Sequence, residues 1–244
     1  HPLSRRQRQM CIRDRACACA GIIIGSVFVS GLGLKFTQSV IDLSGGVLFI
    51  LLCLTAISAI ILGMGMTTTA VYITVAALIV PSLIESGILP IAAHMFAFYF
   101  GVVSTITPPV ALASFAGAAI AKSPPMSTAV ESSKVGIAKY IVPFAFVYNP
   151  SLLMEGPILW SVYSLISVLL AYWCMTLGLE GWFNGKLNAF KRTLALIGSV
   201  TLLIPPLQNI YGIDGIYYNL IGVLILMIIY YLQGKLNFRL KVST

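Results

Sequence analysis

"GVVSTITPPVALASFAGAAIA", residues 101–121, interrupts an apolar run with two adjacent prolines flanked by hydroxyl side chains. Residues 91–106 ahead of the break are apolar and helix-forming. Residues 110–121 behind it offer only about 18 Å of helix at ~1.5 Å per residue, little over half of a ~30 Å hydrocarbon core. That second piece cannot cross a membrane alone, and joined to the first it is too long for one straight helix. The pair therefore reads as a discontinuous span or a re-entrant hairpin. A second interruption lies upstream. Residues 47–62 are strongly apolar and run into "GMGMTTTA", residues 63–70, after which an apolar run resumes over 71–84 and "ESGILP", residues 85–90, turns the chain.

Composition sets the medium. Hydrophobic residues make up 59% of the 244-residue chain and charged residues only 9%, with a mean hydropathy of +0.97. A soluble domain carries about a quarter charged residues, so this is an integral membrane protein. Its apolar runs lack the period-two alternation of barrel strands, which leaves a polytopic all-α class. The formal net charge of +8 is misleading as a sign of nucleic-acid binding, because five of the seven arginines sit in "HPLSRRQRQMCIRDR", residues 1–15. That stretch fits no signal peptide. Its "MCIRDR" resembles a translated sequencing adapter, so residues 1–15 are expected to be a non-native lead and Ala16 the first genuine residue. Cys17 and Cys19 lack partners for a metal site and, with Cys53 and Cys174, read as small packing residues.

The first apolar run covers residues 16–34, and residues 35–46 read as an amphipathic interfacial segment. The polar segment 122–136 is expected to be a short surface helix capped by Ser127 with Glu131 near its first turn. Further spans are expected at 137–154, 158–177, 193–207 and 217–232, with kinks at Pro143 and at Pro205–Pro206. Trp160, Trp173, Trp182, Tyr217, Tyr218, Tyr230 and Tyr231 cluster near span ends, as in aromatic belts. Lysine and arginine gather in 122–139, 180–192 and the tail, while the loops near Glu155 and Asp214 carry none. Alternating spans put the basic segments on one side, expected to be cytoplasmic.

The chemistry sits at the two interruptions. Proline removes an amide donor and strands a carbonyl four residues back, and glycine lets the chain turn where a side chain would clash. Stranded carbonyls in hydrocarbon cost several kcal/mol each unless protein, water or a hard cation meets them. Thr67, Thr68, Thr69, Ser104, Thr105 and Thr107 surround the breaks, and hydroxyl and carbonyl oxygens suit sodium. Asp42, Glu85, Glu131, Glu155, Glu180 and Asp214 all fall at span ends or in loops, so no mid-span proton relay is evident. His94 reads as a satisfied interfacial histidine rather than a relay. Asn149 reads equally as a cap, a cavity lining or an interhelical hydrogen bond.

"ACACAGIIIG", "LGMGMTTTAVYITVAALIVPSLIESGILPIAAHMFAFYFGVVSTITPPVALASFAGAAIA" and "IVPFAFVYNPSLL" together resemble the large permease subunit of TRAP transporters, closest to the fused permeases that work with TAXI-type periplasmic binding proteins. The resemblance implies the second inverted repeat of an elevator-type transporter over residues 16–154, with additional C-terminal transmembrane helices and a basic tail over 155–244. It implies a multi-pass protein of the bacterial inner membrane, not an enzyme, that carries a small organic anion by sodium-driven symport. Its implied partners are a TAXI-type periplasmic substrate-binding protein, the lipid bilayer and a missing N-terminal permease half. Na+ would be the coupling ion, without an organic cofactor. Carried onto this chain, Gly63, Gly65, Met66, Thr67 and Thr68 would form one wall of a sodium site and Ser104, Thr105, Thr107, Pro108 and Pro109 the other. The resemblance does not say which interruption is hairpin tip and which is helix break. A re-entrant-loop channel or a scaffold subunit without transport is the alternative. An intramembrane enzyme lacks a nucleophile with its base.

Overall fold

A computed structural model describes residues 21–22, 25–26, 29–64, 66, 68–183, 185–206, 209–210 and 213–242, with backbone alone at 209–210, 213 and 232–242. The lead, Cys17, Cys19, Gly65 and Thr67 lie outside the described residues, as do residues 16–20, 23–24 and 27–28 of the first apolar run. The fold is that of an all-α membrane protein, and the chain divides into two compact units, His1–Val147 and Tyr148–Thr244.

The first unit is built from short helices. Helix α1 (Leu32–Ser44) ends where Gly45 and Gly46 take φ values of 57° and 78°, a left-handed turn that glycine adopts without Cβ strain. Helix α2 (Leu48–Gly63) follows, and α3 (Thr68–Leu78) continues into α4 (Val80–Glu85). The run over 71–84 is thus not one helix. Pro81 supplies no amide to the turn before it, and the rod bends at Ile79. After the turn at Gly87, α5 (Pro90–Val103) buries Ala92, Ala93, Phe96, Ala97, Phe100, Gly101 and Val103 along its length and forms the centre of the unit.

Helices α2 and α3 both pack on α5. The start of α2, at Leu48 and Leu51, lies beside Glu85 and Ser86 at the turn leading into α5, while its end reaches the end of α5. Helix α2 therefore runs parallel to α5 and α3–α4 run antiparallel to both, so α2 and α3 form a helical hairpin. Phe144 of α8 (Ala138–Tyr148) closes the far side, its ring 6.0 Å from Phe49, 5.5 Å from Phe96 and 5.9 Å from Phe100.

Beyond α5 the chain is irregular from Ser104 to Ala111, wider than the gap at 107–109 read from sequence, and α6 (Leu112–Ala121) then packs against α7 (Pro125–Val135). Helix α7 starts from Pro124 with no side-chain cap. Ser127 is exposed inside its first turn, and Glu131 pairs with Lys134 at 2.7 Å on the surface, so the expected capping arrangement is absent. Helix α8 has 11 residues, about 16 Å, with Pro143 kept inside it. A span over 137–154 is replaced by this short helix, Asn149 and a 3₁₀ turn at Pro150–Leu153.

The second unit contains α9 (Ile158–Glu180), α10 (Ala189–Leu203) and α11 (Gly215–Val242), with a minimal antiparallel ribbon pairing Asn209–Ile210 with Ile213–Asp214. Among the described residues, α9 is the helix long and apolar enough to cross a membrane alone. Pro205 and Pro206 end α10 rather than kink it, since the helix stops at Leu203 and Ile204 is already extended. Arg192 at the start of α10 donates to the carbonyls of Gly178 and Leu179 at 2.9 and 2.8 Å, capping α9 and setting the two helices antiparallel.

This unit is inside-out relative to a soluble bundle. Ser161, Ser164, Ser167, Ala171, Cys174 and Gly178 are buried on α9, while Ile158, Leu159, Val162, Leu165, Ile166 and Leu169 are exposed. Small and hydroxyl residues at helix contacts with large apolar residues outside are what packing in lipid selects. Asn219 of α11 donates its amide N–H to the carbonyls of Thr201 and Ile204 at 2.9 and 3.2 Å. Asn149, buried between α8 and the 3₁₀ turn, makes no side-chain cap and has its Oδ1 3.5 Å from Ser164 Oγ of α9, a long contact.

Gly222 of α11 sits where a Cβ would come within 2.5 Å of Leu202 Cγ and 3.0 Å of the Gly198 carbonyl. Gly222→Ala is expected to lower stability by ~1–3 kcal/mol, read as a lower thermal midpoint of the detergent-solubilised chain. Gly117→Ala, with open space around it, should leave that midpoint unchanged or raise it.

Candidate functional site

The two interruptions meet. Gly63, the buried last residue of α2, lies so close to Ser104 that a Cβ there would stand 2.5 Å from Ser104 Oγ and 2.8 Å from its Cβ. Val71 wedges beside this contact, 3.1 Å from the same position and 2.8 Å from a Cβ built on Gly101. The end of α2 at Gly63, where the hairpin turns, is thus seated against the end of α5. The first motif is the hairpin tip and the second is the helix break.

All of the expected site residues except Gly65 and Thr67 can be placed. Gly63 and Ser104 are buried and in contact. Met66 is half-buried at the tip, whereas Thr68 is exposed as the first residue of α3. Thr105, Thr107 and Pro108 are half-buried and Pro109 is exposed, with the Pro108–Pro109 peptide cis. The tip and the break come together at Gly63 and Ser104, and no contact joins Thr68 to the Thr107–Pro109 end among the described residues.

The hydroxyls at the break all turn back on their own helix. Ser104 Oγ donates to Gly101 O at 2.6 Å, Thr105 Oγ1 to Val102 O at 2.7 Å and Thr107 Oγ1 to Val103 O at 2.7 Å. Pro109 offers Thr105 O no amide, and that carbonyl accepts instead from Ala113 N at 3.1 Å across the break. The carbonyl of Ile106 accepts from Ser133 Oγ at 2.9 Å, with Ser132 Oγ at 3.5 Å. Most oxygens that sequence reading took as bare are therefore met by protein. Ser104 O loses its helical donor in the same way, since residue 108 is proline and has no amide to offer.

Three residues that meet the break were not anticipated. Ser132 and Ser133 come from α7, and Ser132 also bonds Ser114 of α6. Tyr140 of α8 places its hydroxyl 2.7 Å from Thr107 Oγ1. Gly136 lets α7 close over Ile106, where a Cβ would meet Ile106 Cδ1 at 2.7 Å. The "SSKVG" run at 132–136 was the available signal, two hydroxyls and a glycine where a purely solvated helix needs neither. Elsewhere in this unit, exposed His94 shares a hydrogen bond of 3.1 Å with Tyr72 and links α3 to α5.

The unit of short apolar helices thus presses the end of one hairpin helix against a broken one. Residues 15–160, more than half of the chain, match the family model described as Tripartite ATP-independent periplasmic transporter, DctM component. The chain belongs to that family. No curated protein and no solved structure matches it at a significant level. Both interruptions of the DctM component fall inside the matched region, as do α1 to α8, so membership rests on the unit that carries the site. The DctM component is a membrane permease of a transporter, and a periplasmic substrate-binding protein and a further permease subunit are its implied partners.

The Gly63–Ser104 approach sets a test. Gly63→Ala should cost ~1–3 kcal/mol of stability by forcing the tip off the break. Adding Ser104→Gly should recover part of that loss, a coupling of ~0.5–3 kcal/mol in a double-mutant cycle of thermal midpoints. Strict additivity would mean that the two residues do not share the contact.

Proposed function

We propose that the tip and the break form part of a sodium site, and that the chain contributes half of a sodium-driven symporter for a small organic anion in the bacterial inner membrane. The observation that carries the proposal is the contact of Gly63 with Ser104, which brings two interrupted helices to one point. The donor chemistry supports it. Each hydroxyl of Ser104, Thr105 and Thr107 spends its proton on a carbonyl one turn back, leaving oxygen lone pairs for a cation. Ser104 O adds a carbonyl that loses its helical amide to Pro108. No carboxylate lies at the break, which suits a singly charged, oxygen-preferring ion held by neutral ligands.

On this reading the chain carries the second of two inverted repeats, and Thr68, Pro108 and Pro109 line the approach rather than the contact. A TAXI-type binding protein delivers the anion, whose carboxylate faces helix N-termini at the interruptions, where the partial positive charge of the peptide dipoles collects. Sodium entry drives the step, at about 2.3 kcal/mol per charge for each 100 mV.

Sodium should stabilise the purified chain directly. At a concentration ~100 times the dissociation constant, binding to the folded state alone contributes about 2.7 kcal/mol, so the thermal midpoint in Na+ should exceed that in equimolar K+. Thr107→Val should shrink the difference. Tyr140→Phe, which removes the neighbouring hydroxyl but spares the Thr107 oxygen, should preserve it. Equal midpoints of the unsubstituted chain in the two salts would sink the proposal.

A further inference from the structure

The second unit has a cavity of about 320 Å³ between α9 and α11, lined by Trp173, Leu177, Phe183, Leu226, Ile229 and Tyr230. Its wall is apolar and partly aromatic, and Phe183 and Tyr230 lie with ring centroids 5.8 Å apart. What distinguishes it from an ordinary lipid-facing crevice is the charge at one end. Phe183 belongs to a small hairpin closed by a bridge between Trp182 and Lys186, with both residues exposed. Leu187, next along the chain, is buried in the cluster that holds Leu177, Ile225 and Ile229. Lys186 is thereby fixed in a backbone bridge between Phe183, which lines the cavity, and buried Leu187. Arg192 is held at the same end by its bonds to Gly178 and Leu179. Helix α11 runs on past Tyr230 to Val242, and its sequence adds Lys235, Arg239 and Lys241. Glu180 is the acidic residue among them.

We propose that this cavity is a binding site for an anionic phospholipid, with one acyl chain between α9 and α11 and the phosphate beside Lys186 and the cationic end of the unit. Apolar depth capped by fixed cations selects a lipid with a negative headgroup over a zwitterionic one, because each lysine or arginine near the headgroup adds attraction that a neutral lipid does not share. Tyr230 supplies an amphipathic ring of the kind that settles at headgroup level. The site is separate from the tip and break and does not depend on the sodium reading.

The chain contains three tryptophans, so Trp160→Phe with Trp182→Phe leaves Trp173 as the sole reporter inside the cavity. In phosphatidylcholine vesicles, phosphatidylglycerol with brominated acyl chains should quench Trp173 with an apparent affinity about fivefold or more above that of brominated phosphatidylcholine. Lys186→Gln should reduce that preference about fivefold. Equal quenching by both lipids overturns the proposal, and so does a preference that survives Lys186→Gln. A second measurement uses the unsubstituted chain, in which phosphatidylglycerol should stay bound through detergent purification in preference to phosphatidylcholine. Equal retention overturns it as well.

Discussion

The first unit depends on where backbone carbonyls go when two prolines remove the amides that should serve them. In an apolar medium each stranded carbonyl is worth several kcal/mol, so the break at Ser104–Ala111 persists only because other parts of the chain come to it. Ala113 folds back to Thr105, Ser133 reaches in from α7, and the hydroxyls at 104, 105 and 107 bond the turn they terminate. Helix α7 is held where it is by this requirement. Its polar composition resembles a solvated helix, yet Ser132 and Ser133 face the break and its one buried residue is Ala129.

The hairpin and the break were legible because both are local. A glycine pair, a proline pair and the lengths of the flanking apolar runs lie within a few residues of one another, and helix length against bilayer thickness does the rest. Their meeting at Gly63 and Ser104 was an expectation from the family pattern, and only three-dimensional packing puts Gly63 under Ser104 rather than a turn away. The residues that complete the break were not legible for the converse reason. Ser133 and Tyr140 lie 27 and 33 residues from their partners, and nothing in a serine or tyrosine announces a distant carbonyl or hydroxyl. Boundary errors share a cause. Pro81, Pro150 and Pro205 each mark where a helix ended or bent inside an apolar run, and hydropathy averages over single residues that lack a donor and restrict the residue before them.

The second unit shows the same physics without interruptions. The buried face of α9 mixes serine, alanine, glycine and cysteine with Val168, Met175 and Leu177, its outer face carries leucine, isoleucine and valine, and several polar side chains pair within the bundle: Ser167 with Leu202 O, Asn219 with Thr201 O and Ile204 O. Close helix approach replaces hydrophobic burial as the source of cohesion, because lipid gives leucine no reason to hide. That explains why glycine here is a packing residue. At Gly178, Gly198 and Gly222 an added Cβ would fall 2.5 to 3.0 Å from a neighbouring helix.

The two interruptions solve different problems. The tip needs glycine at residue 63 because the chain must pass against Ser104 with no side chain between them, and a methyl group would already collide. The break needs proline because a glycine or alanine there would restore amides to the carbonyls of Ser104 and Thr105 and allow α5 and α6 to join into one continuous helix. A continuous helix would withdraw Thr105 O from Ala113, return Ser104 O to its own turn and carry residues 112–121 away from α7. Prolines at 108 and 109 thus withhold two amides from the end of α5 at the place where Gly63, lacking a side chain, lets the end of α2 close on Ser104.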